Sequence, residues 1–364
     1  MLSDLDFTAD QHSANDAIKQ WLNSDKQTFA LSGLAGTGKS YLISYIQDQI
    51  NGSIVCAPTG KAAYVQRQNG VEEACTLHSL IYSCKERDGK RVFEKKGSIG
   101  ADLVIVDEAG MVGQKENSDL LSFNKKVLYV GDHGQLEPIG DNPNLMANPD
   151  AVLETIHRQA ASSPILRLAM AFREGRESQV IGAMREKGWY RDPTGKITVT
   201  FKKHAKDLIG PTTQVICGYN NTRHRMNQEI RTARGYTKPY PEPGEPVICL
   251  DNRNKFDMFN GQVATVLGIN RAFQHHIDLW LGVGEGDQVP VTCLREQFGK
   301  NTLPNHRDKG VLLLDWAYAL TCHKCQGSGF TDVLVMEEVS DNWNIRRWRY
   351  TSVTRAKEKL VYCF

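Results

Sequence analysis

An apolar run, Thr28–Ser32, leads directly into Gly33-Leu-Ala-Gly36-Thr37-Gly38-Lys39-Ser40, and apolar residues then recur at Leu42, Ile46 and Ile50. Strand, glycine-rich turn and amphipathic helix in that order leave few folds open. Glycines let successive backbone N–H groups converge on phosphate oxygens, and the helix N-terminus adds the positive end of its dipole. In such a turn Gly36, Thr37 and Gly38 cradle the phosphates of ATP. Lys39 bridges the β- and γ-phosphates, and the Ser40 hydroxyl ligates Mg²⁺.

Further apolar runs at Ile54–Ala57, Leu103–Val106 and Val127–Val130 alternate with helical patterns, which predicts an α/β fold around a parallel sheet. Ligands of such sheets bind at the carboxyl ends of the strands. Leu103–Val106 ends in Asp107-Glu108. Asp107 is the expected metal carboxylate, and Glu108 the group that polarises the attacking water. Nucleotide hydrolysis is the expected reaction, since no separate phosphoryl acceptor site is evident. The γ-phosphoryl oxygens still need a positive partner, a role that arginine fingers fill. Arg158, in Ile156-His-Arg-Gln159, and Arg355, in Thr351-Ser-Val-Thr-Arg-Ala-Lys357, are the candidates.

The 364 residues suggest two domains, with the boundary expected between 155 and 156. The first is interrupted at about 82–98 by a short segment with six basic and three acidic residues around Asp88-Gly89, a hairpin turn signal. Phe93 lies in this hairpin, and its residue type suits either stacking on a base or packing the hairpin onto its own domain. In the second half, strands are expected near Val215–Cys217, Val333–Met336 and Leu360–Cys363. Prolines at 239, 241, 243 and 246 open an insertion, about 236–314, with β-like runs at Val247–Leu250, Val263–Ile269, Ile277–Leu281 and Val289–Thr292. A small barrel-like unit is expected there.

Composition narrows the class further. Hydrophobic residues make up 40% and charged residues 24%, as in a packed globular chain. Lys and Arg total 44 against 42 Asp and Glu, so nucleic-acid affinity has to come from local patches rather than overall charge. No apolar run is long enough to span a bilayer, and the acidic, polar opening residues do not read as a signal peptide, so a cytoplasmic protein without a membrane partner is expected. Nine scattered cysteines fit reduced thiols. Cys322-His-Lys-Cys325 stands without a second C-x-x-C, and both thiols are expected to pack rather than bind zinc. The basic run Arg346-Arg347-Trp348-Arg349 reads as a solvated helix face.

Taken in order, these motifs resemble those of superfamily 1 helicases of the RecD-like branch, over most of the chain. Phe7-Thr-Ala-Asp-Gln11 resembles the adenine-reading motif. Ala57-Pro58-Thr59-Gly-Lys61-Ala-Ala63 and Thr76-Leu-His78-Ser-Leu80 resemble the DNA-contact motifs. Val130-Gly-Asp-His-Gly-Gln135-Leu-Glu-Pro138 resembles the motif whose glutamine senses the γ-phosphate. Tyr219-Asn220-Asn-Thr-Arg223, with Asn227, resembles a DNA-side motif, and Leu320-Thr321-Cys-His323-Lys324-Cys-Gln326-Gly327 resembles another that also meets the nucleotide. One departure is Gly110 after Asp107-Glu108-Ala109, where a serine or threonine is usual.

The resemblance implies two RecA-like domains with ATP between them and single-stranded DNA across their top. It implies Mg²⁺-ATP-driven 5′-to-3′ translocation, with the hairpin as the pin that parts a duplex. Forked DNA and replication or recombination proteins are the implied partners, with the chain acting as a monomer in replication, recombination or repair. An RNA helicase or nucleic-acid-stimulated ATPase of the same fold, without strong DNA unwinding, is the alternative. A non-catalytic interaction protein is a third reading, disfavoured by the intact Lys39, Asp107, Glu108 and Arg355.

Overall fold

The computed structural model describes residues 7–87, 90–137, 143–157, 162–251, 258–283, 287–300 and 310–364. Its contacts divide the chain into Met1–Ser163 and Pro164–Phe364, a division that falls at 163/164 where the sequence suggests 155/156. The turn residues Asp88-Gly89, together with Pro138 and Arg158, lie outside the described residues.

In the first unit the elements run α1 (Ala9–Leu22), β1 (Thr28–Gly33), α2 (Lys39–Gln49), β2 (Ser53–Ala57), α3 (Gly60–Gln68), β3 (Cys75–Thr76), α4 (Leu77–Ile81), β4 (Tyr82–Arg87), β5 (Lys90–Lys95), β6 (Leu103–Val106), α5 (Gln114–Leu121), β7 (Lys126–Gly131) and β8 (Ala151–Leu153). Six of the strands form one parallel sheet in the order β3-β2-β6-β7-β1-β8. Apolar runs without polar interruption suit strands covered on both faces. Alternation along β6 divides its residues between two layers. Leu103 and Ile105 join Leu31, Leu42 and Ile46, whereas Val104 and Val106 join Leu77, Leu120 and Tyr129.

Between α4 and β6 the chain makes the expected hairpin, with β4 and β5 antiparallel and Cys84 opposite Phe93. Its base is fastened to the body: the Lys96 backbone N–H donates to Ile81 O at 2.9 Å, and Lys95 Nζ donates to Ser122 Oγ at 2.6 Å.

The second unit contains α6 (Pro164–Glu174), α7 (Ser178–Lys187), β9 (Trp189–Arg191), β10 (Ile197–Thr200), β11 (Gln214–Cys217), α8 (Asn220–Ala233), β12 (Pro246–Cys249), β13 (Val263–Ala272), β14 (His276–Val283), β15 (Asp287–Leu294), β16 (Leu314–Trp316), β17 (Ala319–Thr321), β18 (Phe330–Met336), α9 (Ile345–Val353) and β19 (Ala356–Cys363). Its main sheet has the order β17-β11-β18-β19-β10-β9, parallel except for β9. The four insertion strands expected from sequence are present as β12–β15, and β16 completes an antiparallel sheet in the order β15-β14-β13-β12-β16. A bridge between Cys293 and Leu312 brings the two ends of this sheet together, which gives it a barrel-like curl. Val247, Leu279 and Leu312 share one core with Val215, Met226 and Ile230, so the insertion is packed onto its host rather than tethered to it.

The basic run on α9 differs from its expected role as a solvated face. Trp348 is fully buried, and Arg349 pairs with both oxygens of Glu337, at 2.7 and 3.0 Å, and with Glu177 at 2.8 Å. A guanidinium fork matches a carboxylate in two bonds, and here it ties α9 to its own sheet.

Candidate functional site

The turn between β1 and α2 has Gly36 and Gly38 at φ 81° and 76°. A β-carbon at position 38 would also lie 2.5 Å from Gln11 Nε2 and 2.6 Å from His157 Nε2, so only glycine fits. Gln11 is fully buried. Its Nε2 donates to Thr37 O at 3.1 Å, and its Oε1 accepts the Thr8 backbone N–H at 2.8 Å. His157 closes the same turn, its backbone N–H donating to Gly36 O at 3.2 Å. Sequence reading assigned no role to His157, although it stands beside Arg158 in the same motif. Lys39 Nζ donates to the carbonyls of Gly33 and Leu34 at 2.7 and 2.9 Å. Ser40 is in the first turn of α2.

Asp107 follows β6 and is buried. Burial pushes its carboxyl above the usual range, opposed by the Glu108 backbone N–H, by Gln66 and by the Lys39 charge. Gln66 Nε2 donates to Asp107 Oδ2 at 2.5 Å, a contact that no spacing in the sequence announces. A buried carboxylate after β6, together with the Ser40 hydroxyl at the start of α2, fits a hard cation that takes one or two protein oxygens and the rest from phosphate and water. Glu108 has φ 51° and ψ 38°, a left-handed conformation that costs a non-glycine residue about 1–3 kcal/mol. Such strain concentrates where function holds the backbone. Gly110 has only Met146 Cγ, at 3.8 Å, near the β-carbon it lacks, so the missing hydroxyl at this position has no steric cause. Gln135 Nε2 donates to Asp132 Oδ2 at 3.4 Å, and its buried Oε1 has no hydrogen-bond partner among the described residues.

The two expected DNA motifs of this unit lie side by side, because β2 and β3 pair with Ala57 opposite Thr76. Pro58 and Thr59 follow β2. The Thr59 hydroxyl accepts the Ala62 N–H at 3.2 Å and caps α3, whose first turn carries Lys61. Thr76 likewise caps α4 through the Ser79 N–H at 3.1 Å. His78 meets Tyr82 and Phe93 at ring separations of 4.7 and 4.5 Å. Phe93 therefore packs its hairpin onto the body yet stays 50% exposed, which leaves an open face for stacking.

In the second unit, Arg355 is buried and, among the described residues, is held by neutral oxygens. Nε donates to Thr351 O at 3.0 Å, Nη1 to Ser328 O at 3.1 Å and Nη2 to Thr354 Oγ1 at 3.0 Å. Among the described residues no carboxylate is bonded to it. The bond to Ser328 places it beside Gln326 and Gly327, the latter at φ 69°. Thr321 ends β17, followed by His323 and Lys324; burial pushes both of these side chains below their usual pKa values. Cys322 and Cys325 are buried, and burial pushes the Cys322 thiol up.

The motif after β11 corrects the expected DNA contacts. Asn220 is exposed, but Arg223 is 5% exposed and its Nη1 donates to Asp315 Oδ2 at 2.9 Å. Asn227 bonds the Trp316 and Ala319 carbonyls and accepts the Ala319 N–H at 2.8 Å, so it clamps β16 to β17. Both side chains face the core because β16, invisible as a pattern in the sequence, brings Asp315 against α8. Arg223→Ala is accordingly expected to destabilise the fold by about 3–5 kcal/mol, since Asp315 keeps a buried charge without its cation. Urea unfolding checks this, and a loss below about 1 kcal/mol would contradict the structural role.

A phosphate-binding turn set in one parallel sheet, with a second parallel sheet following in the same chain, defines a P-loop protein of two RecA-like units. Residues 8–193 match the AAA domain family, and residues 316–363 match the UvrD-like helicase C-terminal domain. The chain belongs to the AAA domain family, and it resembles superfamily 1 helicases of the RecD-like branch. It is similar to the ATP-dependent RecD2 DNA helicase of Deinococcus radiodurans, with 28% identity over 353 residues that cover 90% of this chain and 46% of the relative. Against the ATP-dependent DNA helicase dda of Enterobacteria phage T4, identity is 25% over 190 residues, covering 47% of this chain and 43% of that protein. The chain thus spans less than half the length of either relative. Bacteroides Pif1 bound to single-stranded DNA shares the fold, with a TM-score of 0.62 and 18% identity over 99% of this chain and 92% of that one. Pif1 helicases described as unwinding forked double-stranded DNA align with a TM-score of 0.63.

Proposed function

We propose that the chain is an ATP-dependent DNA helicase that moves 5′-to-3′ along single-stranded DNA and separates duplex strands. The observation that carries this reading is the pairing, in one chain, of a phosphate cradle with a buried arginine whose hydrogen-bond partners among the described residues are neutral oxygens. A cradle alone binds nucleotide. A guanidinium held by neutral oxygens adds what hydrolysis requires, a charge ready for the γ-phosphoryl oxygens.

In this reading Gly36, Thr37, Gly38 and Lys39 hold the phosphates, and Gln11 reads the base. Ser40 and Asp107 hold Mg²⁺, which when bound screens phosphate charge. Glu108 takes a proton from the attacking water, and Gln135 reports the state of the γ-phosphate. Arg355, with Arg158 as a second candidate, stabilises developing charge, and Gln326 and Gly327 complete the nucleotide contacts. Pro58, Thr59, Lys61, Thr76, His78, Asn220, Thr321, His323 and Lys324 face the DNA strand, as does Pro138 by resemblance. Phe93, opposite Cys84 in the half of the separating pin next to the body, stacks on a base through its exposed face.

Deleting 84–97 is expected to abolish strand separation while DNA-stimulated ATP hydrolysis stays within about threefold of the intact chain. The measurement uses duplexes carrying a single 5′ or 3′ tail, and only the 5′-tailed one should be opened. A chain that hydrolyses ATP with DNA but opens neither substrate is a stimulated ATPase, and the helicase reading then fails. Opening of the 3′-tailed duplex alone would reverse the polarity.

A further inference from the structure

With Arg223 and Asn227 turned inward, the motif after β11 offers a different side chain to solvent. Tyr219, at the mouth of α8, is 42% exposed. We infer that Tyr219, backed by Trp343, is a stacking platform for an unpaired base of single-stranded DNA. The inference rests on the helicase reading and names a contact within it.

Tyr219 is exposed but not loose. Glu338 Oε2 accepts the backbone N–H groups of Gly218 and Tyr219 at 2.7 and 2.9 Å, and its other oxygen accepts the Thr222 hydroxyl. At the far end of the ring, the Tyr219 hydroxyl donates to Val339 O at 3.0 Å. The ring also rests against Trp343, with centroids 5.1 Å apart and planes tilted by 43°. Trp343 is seated in turn over Gly218, where an added β-carbon would come within 3.0 Å of the indole. A large ring fixed at both ends loses little conformational freedom when a ligand covers it.

Location and charge indicate the ligand. Tyr219 and His323 follow the carboxyl ends of the parallel strands β11 and β17, where open α/β sheets take ligands. His323 lies 6.4 Å from Trp343, ring to ring. Glu338 is occupied by its three donors, whereas Arg225 is exposed and close enough for its charge to act on Cys217 at the end of β11. An aromatic face with an exposed guanidinium nearby suits a base joined to phosphates, since stacking tolerates any base and the cation follows the backbone.

Anisotropy of a fluorescein-labelled oligothymidylate tests the platform. Tyr219→Ala should weaken binding about 10-fold and Tyr219→Phe less than about twofold, because the ring and not the hydroxyl meets the base. The same strand made wholly of abasic nucleotides should bind the intact chain and Tyr219→Ala equally. Trp189→Ala, at an exposed ring on β9, should leave affinity unchanged. If Tyr219→Ala binds oligothymidylate as tightly as the intact chain, or loses as much on the abasic strand, the platform is rejected and the helicase reading stands. If the intact chain binds neither strand, the helicase reading itself is rejected.

Discussion

Lys39→Ala is expected to lower the rate of ATP hydrolysis by at least about 1,000-fold while changing affinity for single-stranded DNA by less than about threefold. In this turn the Lys39 ammonium donates to the Gly33 and Leu34 carbonyls, 2.7 and 2.9 Å away. These are weak partners for a full charge, and γ-phosphate oxygens are stronger ones. The ammonium therefore contributes most as charge shifts in the transition state, where a single preorganised donor is worth about 10²–10³ in rate. Loss of β/γ-phosphate positioning adds to that. Alanine keeps the helical start of α2 and leaves Gly36 and Gly38 free to hold their left-handed conformations. Phosphate release with saturating DNA, alongside strand anisotropy, separates the two effects. Turnover within 10-fold of the unaltered chain would remove Lys39 from the phosphate site.

Arg355→Ala should leave ATP affinity within about fivefold and reduce turnover about 10³-fold or more, the range in which arginine fingers act. The ground state has a phosphate cradle without Arg355, so binding depends on it little. The transition state spreads negative charge over oxygens that no other assigned side chain of the second unit neutralises. Three neutral acceptors hold the guanidinium, and their loss carries a structural cost of its own, since buried acceptors without donors are unfavourable. Arg355→Lys separates the two contributions. It restores a charge and a donor but not the planar fork, so stability should recover while most of the rate loss remains. If Arg355→Ala hydrolyses ATP normally, the guanidinium serves only to join Ser328 to the turn after α9.

Much of the nucleotide site is readable from sequence because its parts are local. Gly33–Ser40 joins a strand to a helix in eight consecutive residues, and Gly36 and Gly38 mark positions where the backbone turns left-handed. The Asp107-Glu108 pair stands immediately after β6 for the same reason. Strands β12–β15 are also legible, since alternation over several residues survives in the sequence. β3 has two residues and β16 and β17 have three each, too few for a period to show. They exist because neighbouring strands supply hydrogen-bond partners.

Those short strands explain where residue-level expectations diverged. Arg223 and Asn227 have the chemistry of DNA-contact residues, and sequence assigns them to that role. The arrival of β16 and β17 surrounds them with Asp315 and the carbonyls of Trp316 and Ala319. Arg349 is captured in the same way by Glu337 and Glu177. A charged side chain at a tertiary contact pairs with the nearest opposite charge, because an unpaired buried charge costs several kcal/mol.

By itself the order of residues determined the α/β class, the phosphate turn, the carboxylate pair and the strands of the insertion, since each follows from steric and hydrogen-bonding demands within a few adjacent residues. Tertiary structure alone decided that Gln66 braces Asp107, that Arg355 keeps its charge among neutral oxygens, and that Tyr219 rather than Arg223 faces solvent. These outcomes depend on which distant groups share a small volume, and burial and electrostatics act on that proximity whatever the separation along the chain.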